Sequence, residues 1–564
     1  MDYRKEYEKW LNDDFFDEKT HRELVSIEGD EGEIEDRFYK SLEFGTAGLR
    51  GKLGAGTNRM NKYMVSQATQ GLADTISEFG EEAKKKGVAI SYDVRHKSKE
   101  FAEISASVLA ANGIKVYIFD GIRPTPVLSY AIRKLKTISG IMVTASHNPR
   151  DYNGYKAYWE EGSQILDDIA GKIEGHIKNY DDFSKIKTMD FKDGVEEGII
   201  EYISDDLDED YLEDVLNLAI HDDKVDKDIS IVYTPLNGTG NELVQRVLKE
   251  RGFTHVSVVK EQEEPDPDFT TVGYPNPEDP KAFRLAEELG HKVGGEILIA
   301  NDPDADRTAL EVLNEDGEYV FVNGNKIGAL LVHYILSERR KKGDLPKNPV
   351  VVKSIVTGDL STRIAEDNDV EMKETLTGFK NLCGLANEYE KTGEKNWIFG
   401  YEESIGFNYG TFVRDKDAVN SAMMIAEMAG FYKKQGKSLL DVLDDLYEKY
   451  GYYNENLISI VLEGASGQER IGRIMEAFRE EPIEELPSAK LEKVIDYEKD
   501  DTGLPKTNAL KYYYDDKSWY ALRPSGTEPK IKLYIYSVGN SLEDSERKIR
   551  EIEETARKKM DAVE

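Results

Sequence analysis

The sequence predicts an α/β protein: three similar α/β domains with mixed, mainly parallel sheets, followed by a C-terminal α+β domain. Three observations carry that prediction. At 564 residues the chain is too long for one hydrophobic core and long enough for several. Short β-branched apolar runs alternate with helical patterns, the order that builds parallel sheets covered by helices. The alternation then returns twice more, and each time its last strand runs into an unusually polar loop.

Residues 1–38 read as a charged helical lead-in. In the first unit VAISYDV, from Val88, is followed by the helical SKEFAEISASVLAANG, the strand-like KVYIF, the helical PVLSYAIRKLK and then GIMVTAS. In the second, ISIVYTP, from Ile229, leads through NELVQRVLKERG, HVSVV and KAFRLAEELG to GEILIAND. In the third, VVVKSIVTG, from Val350, leads through STRIAEDN, EMKETLT and NLCGLANEYEKTG to NWIFGYEES. After the helical SLLDVLDDLYEKYG the pattern changes: ISIVLEG, a helix around ERIGRIMEAFREE and the strands flanking RPSGTEP precede a charged terminal helix. The expected domains are therefore 1–205, 206–325, 326–455 and 456–564, with DDLDED near 205–210 as linker or helix cap.

The charge balance excludes several function classes. With 110 acids against 75 bases the net charge is -35, so nucleic acid and anionic membrane surfaces are repelled, and any anionic ligand needs a local, enclosed positive site. The acids are spread along the chain, as in EEPIEEL and DDLDEDYLEDV, which reads as a solvated coat. No stretch approaches the roughly 18 uninterrupted apolar residues of a membrane helix. The opening MDYRKEYEKWLNDDFF lacks the basic and apolar regions of an export signal, so a cytoplasmic location is expected. The single cysteine, Cys383, leaves no internal disulfide and no multi-cysteine metal site. Oligomeric state is not encoded legibly.

The loop contents carry the chemistry. In IMVTASHNPRDYNGYK a buried-type strand breaks at Ser146-His147-Asn148-Pro149, small polar residues placed where open parallel sheets bind ligands. In NDPDADR the carboxylates of Asp302, Asp304 and Asp306 alternate; closely spaced acids repel unless a cation or proton neutralises them, and an all-oxygen donor set suits Mg²⁺. An EF-hand does not fit, because Arg307 and Leu313 stand where its Gly and Glu belong. GYEESIG offers Glu402, Glu403 and Ser404, groups able to read sugar hydroxyls or simply to cap a helix. RPSGTEP offers Arg523, the hydroxyls of Ser525 and Thr527 and the backbone around Gly526, a set that suits a phosphate dianion. The Gly-rich FGTAGLRGKLGAG fits neither nucleotide-loop pattern, although Arg50 within it is a candidate phosphate contact.

In this order and at these separations TASHNP, DPDADR, GYEESIG and RPSGTEP resemble the α-D-phosphohexomutases, the phosphoglucomutase/phosphomannomutase family, over nearly the whole chain. The GYEES form and the opening FGTAGLRG look most like its phosphoglucomutase-2-like branch. The resemblance implies a heart-shaped enzyme of four domains around a central cleft, acting on a small sugar phosphate, with glucose 1,6-bisphosphate as activator and intermediate. It implies that Ser146 carries the phosphoryl group and that Asp302, Asp304 and Asp306 hold Mg²⁺ against it. It further implies that Glu402 and Ser404 read the sugar and that Arg523, Ser525, Gly526 and Thr527 grip the non-reacting phosphate. Arg50, His147 and Lys156 match positions near the reacting phosphate, Arg307 follows the metal loop, and Lys380 sits where some members have a sugar-contacting lysine. His147 or Lys156 is the expected companion base of the serine. One departure stands out: Tyr401 intervenes between Gly400 and Glu402, where the usual loop has Gly directly before Glu. Glucose 1-phosphate is the expected substrate, with mannose and pentose phosphates as alternatives. A rival reading takes Asp304-Ala305-Asp306-Arg307-Thr308 as the DxDxT nucleophile motif of haloacid-dehalogenase-type phosphatases, but that motif normally opens its domain, whereas here a complete α/β unit precedes it.

Overall fold

The computed structural model describes residues 2–45, 48–462, 464–525 and 530–563. Four sheets succeed one another along the chain. The first holds β1 (Gly48–Lys52), β2 (Val88–Tyr92), β3 (Val116–Ile118), β4 (Ser139–Val143), β5 (Tyr152–Trp159) and β6 (Ile200–Tyr202), in the order β1-β5-β4-β2-β3-β6. The second holds β7 (Ile231–Thr234), β8 (Val256–Val258), β9 (Ile297–Asn301), β10 (Thr308–Leu313) and β11 (Tyr319–Val322), in the order β11-β10-β9-β7-β8. The third holds β12 (Pro349–Ser354), β13 (Glu371–Thr375), β14 (Asn396–Glu402) and β15 (Gly406–Tyr409), in the order β13-β12-β14-β15.

In these three sheets the central pairs are parallel, as continuous apolar strands joined by helices require. The unexpected element comes directly after each polar loop: the chain turns back at once and pairs antiparallel with the strand it has just left. β4 pairs with β5, β9 with β10 and β14 with β15 in this way. The three loops are thus hairpin tips at the carboxyl ends of parallel strands, and pairing on both flanks fixes each tip. Every tip also carries one non-glycine residue in the left-handed region: Ser146 at φ 52°, Ala305 at 49° and Ile405 at 54°. Such backbone costs about 1–2 kcal/mol per residue and persists only where surrounding structure enforces it.

The fourth sheet is wholly antiparallel: β16 (Tyr452–Val461), β17 (Leu491–Asp496), β18 (Leu510–Tyr514), β19 (Trp519–Pro524) and β20 (Lys530–Gly539), in the order β16-β20-β19-β18-β17. One face packs Ile531, Leu533, Ile535, Tyr520 and Leu522 beneath helices Gly464–Glu480 and Leu542–Asp561. Period-2 alternation sends Arg523, Lys532, Tyr534 and Tyr536 to the other face. Part of that second face docks on the third unit: Trp519 Nε1 donates to Asp359 Oδ2 at 2.7 Å, Lys511 Nζ to the Ile355 carbonyl at 2.7 Å, and the Leu360 N–H to the Tyr536 hydroxyl at 3.1 Å.

The lead-in forms three helices, Tyr3–Asn12, Glu18–Ser26 and Glu31–Phe38, folded around Trp10 and Phe38. Arg37, paired with Glu23 at 2.5 Å, donates to the Ala55 carbonyl at 3.1 Å and so braces the turn after β1. DDLDED is not a linker: it lies mostly in helix Asp206–Leu216. The expected breaks at 325/326 and 455/456 fall inside helix Gly324–Lys342 and β16. Cys383 is buried. Among the described residues no helix is long and apolar enough to cross a membrane.

Candidate active site

The serine loop is built around Arg95. This buried guanidinium donates to the carbonyls of Ser146 at 2.5 Å, Pro149 at 2.8 Å and Tyr152 at 3.2 Å, and to that of Asn148. Its own counter-ion, Asp93, lies 3.2 Å away and accepts from the Thr144 hydroxyl at 2.7 Å. The same hydroxyl accepts the Ser146 N–H at 2.8 Å, which completes the left-handed turn. Ser146 is 1% exposed, and its Oγ donates to Asp302 Oδ2 at 2.8 Å and lies 3.3 Å from His147 Nδ1.

The tip after β9 buries all three aspartates, with their ligand oxygens within 4.8 Å of one another. Asp302 Oδ1 accepts the N–H groups of Asp306 at 3.1 Å and Arg307 at 3.0 Å. Asp304 Oδ2 accepts from Lys156 Nζ at 2.7 Å and Thr125 Oγ1 at 2.9 Å, and Asp306 Oδ2 from Lys156 at 3.2 Å, with Lys416 Nζ at 3.0 Å. Burial raises every one of these carboxyls. Lys416, Lys156 and Arg307 outweigh burial at Asp306 and hold it below the usual range, and Lys156 does the same for Asp304. Asp302, buried and facing its two neighbours, is pushed well up. The buried Oδ1 atoms of Asp304 and Asp306 have no hydrogen-bond partner among the described residues. Orphaned carboxylate oxygens converging from one loop are a hard, all-oxygen donor set, and they fit a divalent cation of the Mg²⁺ class.

The expected companions of the serine separate. Lys156, on β5, is held above its ordinary value by Asp304 and Asp306 despite burial, so it stays an ammonium. Burial, with Arg307 and Arg50 nearby, pushes the His147 imidazole well below its ordinary value, leaving it neutral, with Nδ1 3.3 Å from the Ser146 hydroxyl. Arg50, on β1, points toward Asn148 Oδ1 at 3.5 Å. Arg307 pairs with Glu278 at 3.4 Å.

These groups line or adjoin a cleft of about 760 Å³ that also receives Lys380, Glu402, Ser404, Arg523, Lys530 and Lys532, room enough for a phosphorylated sugar. Glu402 ends β14 and accepts the Gly378 N–H at 2.7 Å; burial and the Glu403 carboxylate push it up. The inserted Tyr401 faces the opposite way, into the core, where its hydroxyl donates to Ser361 at 2.6 Å and its ring lies against Gly328, which has no room for a Cβ. Alternation along the strand thus keeps the tyrosine out of the cleft. Lys380 bridges to Asp167 of the first unit at 2.8 Å.

Opposite the serine, Arg523 lies at the end of β19 and Lys530 and Lys532 open β20. Burial lowers the Lys532 ammonium, and Lys530, Arg523 and Arg307 lower it further against the opposing pull of Glu403. The Ser525 N–H donates to the Lys530 carbonyl at 2.8 Å. Gly526 and Thr527 lie outside the described residues. Sequence reasoning missed Lys416, Thr125 and Arg95, whose only signal was a charged RDKD run, a Pro-flanked helix start and a strand-end DVR, each distant in sequence from the loop it serves.

Comparison with known proteins agrees with this geometry. Residues 41–183, 209–315 and 323–450 match the phosphoglucomutase/phosphomannomutase α/β/α domains I, II and III. The chain is 38% identical over 537 residues to a phosphoglucomutase of Staphylococcus epidermidis, covering 93% of this chain and 95% of that protein. It is 38% identical over 532 residues to a phosphoglucomutase of Staphylococcus aureus, covering 92% and 94%. Among solved structures, the exocytosis-sensitive phosphoprotein parafusin, a phosphoglucomutase from Paramecium in its open form, superposes with a TM-score of 0.71 at 18% identity, covering 93% of this chain and 96% of that one.

Proposed function

The chain belongs to the phosphoglucomutase/phosphomannomutase family, and from that premise we propose that it interconverts glucose 1-phosphate and glucose 6-phosphate through a phosphoserine at Ser146 and glucose 1,6-bisphosphate. The observation that carries the reading is the Ser146 hydroxyl, held in a left-handed turn 2.8 Å from Asp302, one of three buried aspartates of which the other two, Asp304 and Asp306, each keep an orphaned oxygen, beside a cationic cleft.

Asp302, Asp304 and Asp306 would hold Mg²⁺, which when bound offsets charge on a transferring phosphoryl group. The chain supplies the rest. When Ser146 takes a phosphoryl group its hydroxyl proton passes to the neutral His147; when it gives one up, the proton returns. Lys156 stays protonated and, with Arg50, adds positive charge beside the reacting oxygen. Glu402 and Ser404 read sugar hydroxyls, with Lys380 beside them. Arg523 and Ser525, joined by Gly526 and Thr527 of the same motif, grip the phosphate that does not react. Since the bisphosphate must turn end for end, that grip has to accept either phosphate, and the walls of the cleft exclude the water that would hydrolyse phosphoserine. Asp304 serves badly as a phosphatase nucleophile, because its Oδ2 is committed to Lys156 and Thr125 and its Oδ1 is one of the orphaned oxygens offered to the cation. The acidic coat supports a small-molecule partner in the cytoplasm over a nucleic acid or a membrane.

Turnover of glucose 1-phosphate, mannose 1-phosphate and ribose 1-phosphate, each with Mg²⁺ and a bisphosphate primer, tests the proposal. Glucose 1-phosphate is expected to be preferred, and intact-mass analysis is expected to find one phosphate lost in Ser146→Ala. A clear preference for the mannose or ribose ester overturns the choice of sugar.

A further inference from the structure

The cleft that should hold phosphate dianions contains a carboxylate that the mechanism does not use. Glu278 lies on the cleft wall, its Oε2 3.4 Å from Arg307 Nη1. It is held there by a tight turn: its N–H donates to Asn276 Oδ1 at 3.1 Å, the Asp279 N–H donates to the Asn276 carbonyl at 2.9 Å, and Pro275 and Pro277, which flank Asn276, are buried. Its side chain is 37% exposed at the cleft surface, where Arg307 and Lys532 of the fourth sheet favour its charged form and Glu403 opposes it. Glu278 therefore pairs with a cation beside the metal loop and lines the same cleft as Lys532 of the phosphate-gripping strand.

We propose that Glu278 is a built-in counter-anion of the phosphate cleft: it holds Arg307 in the ligand-free enzyme and competes with substrate phosphate for it. A fixed carboxylate among converging cations repels an incoming dianion and weakens its binding. That weakening serves a reaction in which a bisphosphate must let go of both ends and turn around, because a tight grip would trap it. The role rests on the mutase reading for its purpose, but the competition itself is a property of the cleft.

The test is calorimetric titration of the full-length, Mg²⁺-supplemented protein with inorganic phosphate. Glu278→Gln is expected to bind phosphate about three- to fivefold more tightly than the parent, the scale of a part-exposed ion pair, and to show a parallel fall in KM for glucose 1-phosphate. Glu278→Asp keeps the charge in the cleft and should stay within about twofold of the parent. Glu288→Gln removes the same charge from the outer helix Arg284–Val293, where Glu288 pairs with Arg284, and should leave phosphate affinity unchanged. Unchanged or weaker phosphate binding by Glu278→Gln, or equal tightening by Glu288→Gln, overturns the proposal. Because the titration needs no turnover, absence of mutase activity would count against the proposed function without deciding the role of Glu278.

Discussion

Two sets of acids in the second unit, the three buried aspartates and the buried Glu311, are treated in opposite ways. At the tip after β9, Asp302, Asp304 and Asp306 are served by Lys156 from the first unit, Lys416 from the third and the Ser146 hydroxyl. On β10, Glu311 lies 3% exposed with Glu287 of the overlying helix as its charged neighbour, and burial together with that carboxylate pushes it up to about 8. In one cluster Asp304 and Asp306 are kept charged by cations imported from elsewhere in the chain; in the other, burial and a neighbouring carboxylate hold Glu311 protonated. Buried carboxylates alone do not mark a site. The distinguishing features of this one are that three units contribute to it, and that oxygens remain which no described protein group satisfies.

The largest test removes the acceptor at the centre of the charged cluster. Ser146→Ala is expected to lower mutase turnover by at least about 10⁴-fold while leaving thermal stability nearly unchanged, since the lost hydroxyl leaves Asp302 able to stay protonated. A variant retaining a tenth of the activity would end the phosphoserine reading and remove the functional half of the contrast.

Breaking the imported charge comes next. Lys416→Met leaves Asp306 with one ammonium fewer in a fully buried place, an imbalance worth about 3–5 kcal/mol of stability. Adding Asp306→Asn should recover much of that loss in denaturant unfolding. If the double variant is no more stable than the single one, Lys416 acts by packing and the electrostatic contrast fails.

How far the sequence foretold these regions differs in an instructive way. The charged cluster was half legible, because alternating aspartates after an apolar strand announce a cation or proton requirement whatever the fold. Its partners Thr125 and Lys416 were not, since they come from separate segments and no local pattern says which side chain a fold will bring to which loop; Lys156 was reached only through the family resemblance. The alternation of strands and helices was legible as parallel sheets, since their period and composition are local properties. The returning antiparallel strands β5, β10 and β15 escaped notice because a hairpin whose tip is a polar loop of three to eight residues lacks the two-residue turn signature. Glu311 was invisible for a further reason: in TALEVLNEDG it sits at an ordinary alternating position, and only the packing of helix Arg284–Val293 above it turns a strand glutamate into a buried one.

That neutral cluster yields a prediction of opposite sign. A carboxyl raised in the fold binds a proton that the unfolded chain has released, so its contribution is fully present below the unfolded value near 4.5 and is lost as pH rises through about 8. Glu311→Gln should therefore stabilise the protein by about 4 kcal/mol at pH 8.5 and by almost nothing at pH 4.5, read as the difference in denaturation midpoint between variant and parent. A stabilisation independent of pH would mean that the Glu311 carboxyl is not raised.

The smallest effect discriminates most finely between the clusters. Thr125 donates twice to the metal loop, through its hydroxyl to Asp304 Oδ2 and through its N–H to the Asp304 carbonyl, both at 2.9 Å. Thr125→Val keeps the shape and the N–H but leaves the carboxylate one donor short, a loss of about 1–2 kcal/mol without added metal. A cation bound to the same carboxylate would replace the missing donor, so saturating Mg²⁺ should shrink the difference in melting temperature between Thr125→Val and the parent. Glu311→Gln, remote from any cation, should show the same difference with and without Mg²⁺. Equal Mg²⁺ responses in the two variants would place the cation somewhere other than among Asp302, Asp304 and Asp306.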